Sequence, residues 1–170
     1  MTKPNKSKLT CPDGRISQPS KSVGDREVID LGTYIPGFLS SINNALSRGA
    51  SQRYRAQFGI GIVEWRVMSM LAIEPNIPAV HISDAISTDK GQVSRALQKL
   101  CDAKLAESKV VSADVRKKNW WLNDAGYTMH ERILKIALER ERQLITGCTP
   151  EDIEAFLRVA RLMGQNLSKM

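Results

Sequence analysis

Between Ser87 and Leu100 the sequence gathers side chains suited to hydrogen-bonding an anionic polymer: Lys90, Gln92, Ser94, Arg95, Gln98 and Lys99. Lysine and arginine donate to phosphate oxygens, while Arg, Gln and Ser also reach the edges of bases. Val93, Leu97 and Leu100 recur at the i, i+4, i+7 spacing, with Ala96 beside them, so a helix here turns one face to a core and leaves the donors outside. Asp89 or Thr88 stands where an N-cap is needed. The capped first-turn amides, with the positive end of the helix dipole, suit a phosphate. An ordinary amphipathic helix with a solvated polar side shows the same periodicity, so the flanking elements must decide.

After Leu100 the period changes. Leu105, Glu107, Lys109 and Val111 lead into a polar turn over residues 112–119 that carries Asp114, Arg116, Lys117 and Lys118, and Trp120-Trp121-Leu122 returns as a short strand. A hairpin with a basic tip directly after such a helix is a wing. Before it, residues 62–73 are helical in pattern, with Val63, Val67, Met70, Leu71 and Trp65. Glu74-Pro75-Asn76 break the pattern, and Pro78 suits the first turn of a short helix holding Val80, Ile82, Ala85 and Ile86. The short helix and the Ser87–Leu100 stretch make the two arms of a helix-turn-helix.

The outer elements are helical too. Leu31, Ile35, Phe38, Leu39, Ile42 and Leu46 form one stripe, with Pro36 and Gly37 near its start; Arg48, Arg53, Arg55 and Phe58 follow. Asn123 can cap a helix over 124–145, and Thr149-Pro150-Glu151-Asp152 starts a last one carrying Ile153, Phe156, Leu157, Ala160, Met163 and Leu167. The fold class is mainly α with a small β-wing: a winged helix-turn-helix over about 60–122, with dimerisation helices over about 28–50 and 124–168. Neither outer apolar stripe has another partner in so short a chain, which points to a homodimer.

The 170 residues carry a net charge of +7, which suits an anionic partner. Residues 1–26, rich in Lys, Ser, Pro and Gly and poor in large apolar groups, read as a disordered basic tail, and 27–170 as a single domain. No run of about 18 apolar residues exists and no signal peptide is seen, so no membrane partner and a cytoplasmic location are expected. Cys11, Cys101 and Cys148 stand at unrelated spacings without a CxxC pair, which argues against a metal site or a disulfide framework. His81 and His130 lie in different helices without an obvious partner, and no carboxylate pair is forced into a pocket. No catalytic residue, cofactor or enzyme activity is expected.

The helix order, the stretch from Asp89 to Leu100 and the wing's Asp114-Val115-Arg116, followed by Leu122 and Gly126, together resemble the MarR family of bacterial transcription regulators over about residues 28–168. The resemblance implies a homodimer formed by the first and last helices, with winged modules at its outer ends. It places Lys90, Gln92, Ser94, Arg95 and Lys99 in or beside the major groove of an operator, and Arg116 in the adjacent minor groove, braced by Asp114 and flanked by Lys117. Three positions depart from the family pattern. Lys104 replaces a glycine, so the left-handed cap there is expected to be strained by about 1 kcal/mol or absent; Asn123 replaces a threonine, and Ser108 an arginine. The resemblance also implies a small aromatic effector, with aromatic acyl-CoA thioesters among those the family answers to. Tyr34, Phe38, Trp65 and Arg66 are candidate pocket walls, and Arg48, Arg53 and Arg55 candidate partners for an anionic group. Core packing competes for the first four, and solvation or DNA-backbone contact for the arginines. The function expected is a ligand-responsive dimeric repressor acting on a pseudo-palindromic operator. A non-specific architectural DNA-binding protein and a cysteine-based redox sensor are the alternatives.

Overall fold

The computed structural model describes residues 15–111, 113 and 117–170. The chain divides between Arg53 and Tyr54 into two units.

In the first unit Ser20–Val23 (β1) and Arg26–Ile29 (β2) form an antiparallel hairpin, paired from Ser20↔Ile29 to Val23↔Arg26. Gly24, at φ 59, supplies the left-handed conformation the tight connection needs. This corrects the expectation of a disordered tail through residue 26; residues 1–14 lie outside the described ones. The reason is physical. No strand residue is buried, so the hairpin does not follow from apolar content. It is held by its backbone ladder, by Ser20 Oγ donating to Glu27 at 2.6 Å and by a Lys21–Asp30 ion pair at 3.6 Å.

Helix α1 spans Ile35–Phe58 and crosses the division between the units. The expected helix ended near residue 50, where its apolar stripe stops. The following segment, Ser51 to Phe58, lacks that stripe but is mostly of good helix formers and holds no proline, so propensity carries the helix on. It stops at Gly59, which at φ 70 takes the left-handed cap and donates to Arg55 O at 3.0 Å.

The second unit continues with α2 (Ile62–Ile73), β3 (Ile77–Pro78), α3 (Ala79–Ala85), α4 (Lys90–Asp102), β4 (Ala106–Val110), β5 (Lys118–Leu122), α5 (Asp124–Leu144) and α6 (Pro150–Leu167). Its sheet has the order β3-β5-β4, all antiparallel, with Ile77 opposite Trp120 and Ser108 opposite Trp120 on the other side. Val67, Met68 and Leu71 of α2, Ile82 of α3, Val93, Leu97 and Leu100 of α4 and Ile133 of α5 are fully buried and make the core. Pro78 precedes α3 as its N-cap, in extended backbone at ψ 154, one step earlier than the expected first turn.

Two junctions fix the end of α4 and the start of α5. Lys104 takes φ 57, its amide donates to Cys101 O at 2.9 Å and that of Leu105 to Leu100 O at 2.9 Å. The left-handed cap is therefore formed in full by a lysine, at a cost of about 1 kcal/mol relative to glycine. Asn123 caps α5, accepting from Gly126 N at 3.0 Å while its amide group donates to Lys104 O at 3.0 Å. A Cβ at Gly126 would lie 2.0 Å from Leu105 O, so only glycine lets α5 start against the base of the wing.

Candidate nucleic-acid interface

Helix α4 is amphipathic as its spacing implies. Val93, Ala96, Leu97 and Leu100 are buried, and Lys90, Gln92, Ser94, Arg95, Gln98 and Lys99 are exposed. Asp89 is the N-cap, accepting from Gln92 N at 3.1 Å. Of the outward side chains, Gln98 donates to Asp102 at 2.7 Å and Lys99 to Glu64 at 2.8 Å.

The Glu64 contact joins α2 to α4 and was not foreseen. It spans 35 positions of sequence, and a Glu in the first turn of a helix has a local explanation in the dipole, so no sequence signal marks it. Its side chain is only 12% exposed. Burial pushes its pKa up, but the hydrogen bond from Lys99, its own backbone amide and the charges of Lys99 and Arg55 outweigh that and hold it below the ordinary value. Gly61, before α2, provides no side-chain cap. A Cβ there would meet Glu64 Oε2 at 2.5 Å and the Arg55 guanidinium at 3.1 and 3.2 Å, so Arg55 lies across this glycine, next to the carboxylate. Between these elements is an open recess of about 310 Å³ bordered by Arg55, Ile62, Glu64, Gln92, Arg95 and Lys99.

At about 100° per residue, Arg53 lies roughly 200° round α1 from Arg55, on the opposite side, and Arg48 and Arg53 fall in the first unit, whereas Arg55 falls in the second.

The hairpin after α4 is a wing. Its strands run in register from Ala106↔Leu122 to Val110↔Lys118, and Val111 N donates to Lys117 O at 3.0 Å as the strands part. Lys117 is exposed; Asp114 and Arg116 lie outside the described residues. Strand β3, too short to leave a sequence pattern, ties the wing to the turn before α3. Asn119 donates to Asn76 O at 2.8 Å, and Asn76, at φ 64, donates to Trp120 O at 2.9 Å.

Trp65 is occupied. Its indole stacks on His130 of α5 with centroids 5.0 Å apart and meets the buried Tyr54 edge-on at 5.9 Å. Arg132 of α5 lies over the Phe58 ring at 5.1 Å. His130 therefore has an aromatic partner, and His81 a carboxylate one, Glu74 at 3.4 Å, where the sequence offered neither. Burial lowers the His130 pKa, against the opposing charge of Glu131. Arg66 is half-buried; in the first unit Tyr34 is half-buried and Phe38 exposed. Cys101 is partly buried and Cys148 exposed; Cys11 lies outside the described residues. Among the described residues no group of His, Cys, Asp and Glu is arranged to hold a metal ion, and no single helix is long and apolar enough to cross a membrane.

Helices α2, α3 and α4 backed by a three-stranded sheet whose last two strands form a protruding hairpin define a winged helix-turn-helix protein. Solved structures narrow the class. The chain is similar to a MarR/EmrR family transcriptional regulator from Acinetobacter sp. ADP1, at 27% identity and a TM-score of 0.76, covering 84% of this chain and 100% of that one. It is similar to a MarR family regulator from Silicibacter pomeroyi at 22% identity and a TM-score of 0.72, covering 83% of this chain and 96% of that one. The same fold appears in S. aureus MepR, solved as a DNA complex, at 22% identity and a TM-score of 0.67 over 78% of this chain and 95% of that one. No protein-family model matches the sequence, and a search of curated proteins finds no match. The chain is a winged-helix protein with the fold of MarR-family transcriptional regulators.

Proposed function

We propose that the chain is a DNA-binding transcription regulator that acts as a homodimer on a pseudo-palindromic operator. The observation that carries this reading is the outer face of α4. Lys90, Gln92, Ser94 and Arg95 stand exposed on a helix whose opposite face is fixed in the core, which is how a rigid element presents donors to a major groove. Lys117 at the wing, with Arg116 and Asp114 assigned there by sequence, serves the neighbouring minor groove. MepR and Streptococcus pneumoniae FabT, both solved with DNA, share the fold and support the choice of ligand.

Dimerisation is supported by two apolar faces. On α1, Phe38 is 52% exposed and Leu39 and Ile42 each 40%; on α6, Phe156 is 61% and Leu167 70% exposed. Such faces on a soluble protein call for a partner, and a second copy supplies one with the two-fold symmetry a palindrome requires. The regulator is a repressor released by an aromatic, anionic effector that acts at the Trp65 and Arg66 stretch of α2, where the Tyr54–Trp65–His130 contacts join α2 to α5.

Selection of duplexes from a random library, followed by footprinting, tests the reading. The expected product is a pseudo-palindrome with half-sites about one helical turn apart. Arg95→Ala should relax preference at one position of each half-site, by about 1–3 kcal/mol of discrimination. Recovery of no common sequence would favour the architectural alternative.

A further inference from the structure

The recess beside α4 has a charge surplus that its own residues do not neutralise. Arg55, Arg95 and Lys99 border it against one carboxylate, Glu64. Lys99 is committed to Glu64 at 2.8 Å, and Glu64 is held ionised by that bond and by the charges around it. Two guanidinium groups remain, Arg55 from the last turn of α1 and Arg95 from the outer face of α4. Between them lies the first turn of α2, whose N-cap Gly61 makes no side-chain cap, so that the turn's side-chain acceptor is the Glu64 carboxylate on its own amide. Planar guanidinium forks match the geometry of a phosphate, and the positive end of α2 adds to the same field.

We infer that this recess seats one phosphate of the DNA backbone, with Arg55 as its principal ligand. The inference rests on the reading of α4 as the recognition helix, because Gln92 and Arg95 of that helix form the rim of the same recess. A tethered phosphate suits the site better than a free anion. The recess is open, so a small anion would keep much of its hydration there, whereas a backbone phosphate is delivered at high local concentration once other contacts hold the duplex. Glu64 acts through its neighbours: it holds Lys99 away from the phosphate and offsets part of the positive charge around the recess. Arg55 thereby belongs to the DNA face and not, with Arg48 and Arg53, to an effector site.

The test is the salt dependence of duplex binding by the full chain, measured with a selected operator and with an unrelated duplex. Arg55→Ala should weaken both alike, without altering sequence preference, and should lower the magnitude of the slope of log K against log salt by about 0.9 per subunit. Arg55→Lys should keep the slope. Glu64→Gln, which removes the neighbouring negative charge and frees Lys99, should tighten binding and steepen the slope, an effect that a purely structural role does not produce. An Arg55→Ala slope and affinity equal to wild type, with Arg95→Ala impaired, would overturn the inference and leave the regulator reading standing. Inorganic pyrophosphate raising the melting temperature of wild type but not of Arg55→Ala, with the DNA slope unchanged, would assign the recess to a free anion instead. Wild-type protein that binds no duplex at low salt would overturn both readings.

Discussion

Replacing Gly126 by alanine should destabilise the winged module, and the structure says by roughly how much. The added Cβ would lie 2.0 Å from Leu105 O, 3.0 Å from Leu105 C and 3.1 Å from Leu122 Cβ. Two of these atoms are backbone and the third is the root of a buried side chain, so no flexible end can swing away. Relief requires α5 to withdraw from the β4–β5 base, which strains a close-packed junction by about 1–3 kcal/mol. The same shift pulls Gly126 N from Asn123 Oδ1, now 3.0 Å apart, and a lost N-cap adds about 1 kcal/mol. The higher helix propensity of alanine returns just under 1 kcal/mol. The net expectation is a loss of about 1–3 kcal/mol, read as a lower urea midpoint by tryptophan fluorescence. Gly164→Ala is the control, because nothing lies within 4 Å of a Cβ there, and it should gain up to about 1 kcal/mol from propensity alone. A Gly126→Ala midpoint at or above wild type would refute the reasoning, since it would mean the junction holds room for the added methyl group.

Three other perturbations are expected to have readable outcomes. Lys104→Gly should raise stability by about 1 kcal/mol, because the exposed lysine is held at φ 57 and glycine adopts that conformation freely; an unchanged or lower urea midpoint would count against strain at this cap. The depressed pKa of His130 favours the neutral ring in the folded state, so its stabilising contribution is present above the unfolded value near 6.5 and is lost as pH falls through the folded value. Urea midpoints measured from pH 7.5 downward should thus fall less steeply for His130→Gln than for wild type, and equal slopes would remove the histidine from the account. Phe156→Asp, at a position 61% exposed on α6, should convert dimer to monomer in sedimentation at micromolar concentration; a dimer of unchanged affinity would place the interface elsewhere.

Sequence by itself determined the elements whose pattern repeats locally. The spacing of Val93, Leu97 and Leu100 settled which face of α4 is buried, because an amphipathic helix must turn its apolar stripe inward whatever it packs against. Asp89, Asn123 and Thr149 were legible as caps since a cap acts within a few residues, and the period change after Leu100 marked the wing. What tertiary structure decided lies where the deciding contact is distant in sequence or leaves no apolar mark. The β1–β2 hairpin is held by backbone pairing among exposed residues, the last turns of α1 by propensity without a stripe, and β3 by two residues that acquire meaning only opposite Trp120. Lys99 looked like one more outward cation until Glu64, 35 positions away, claimed it. Arg55 looked like one of three arginines near the end of α1 until the packing of the second unit set it at the recess beside α4. Periodicity reports which way a side chain points from its own axis; which charges then meet depends on how separate axes are packed, and that is fixed only by the core.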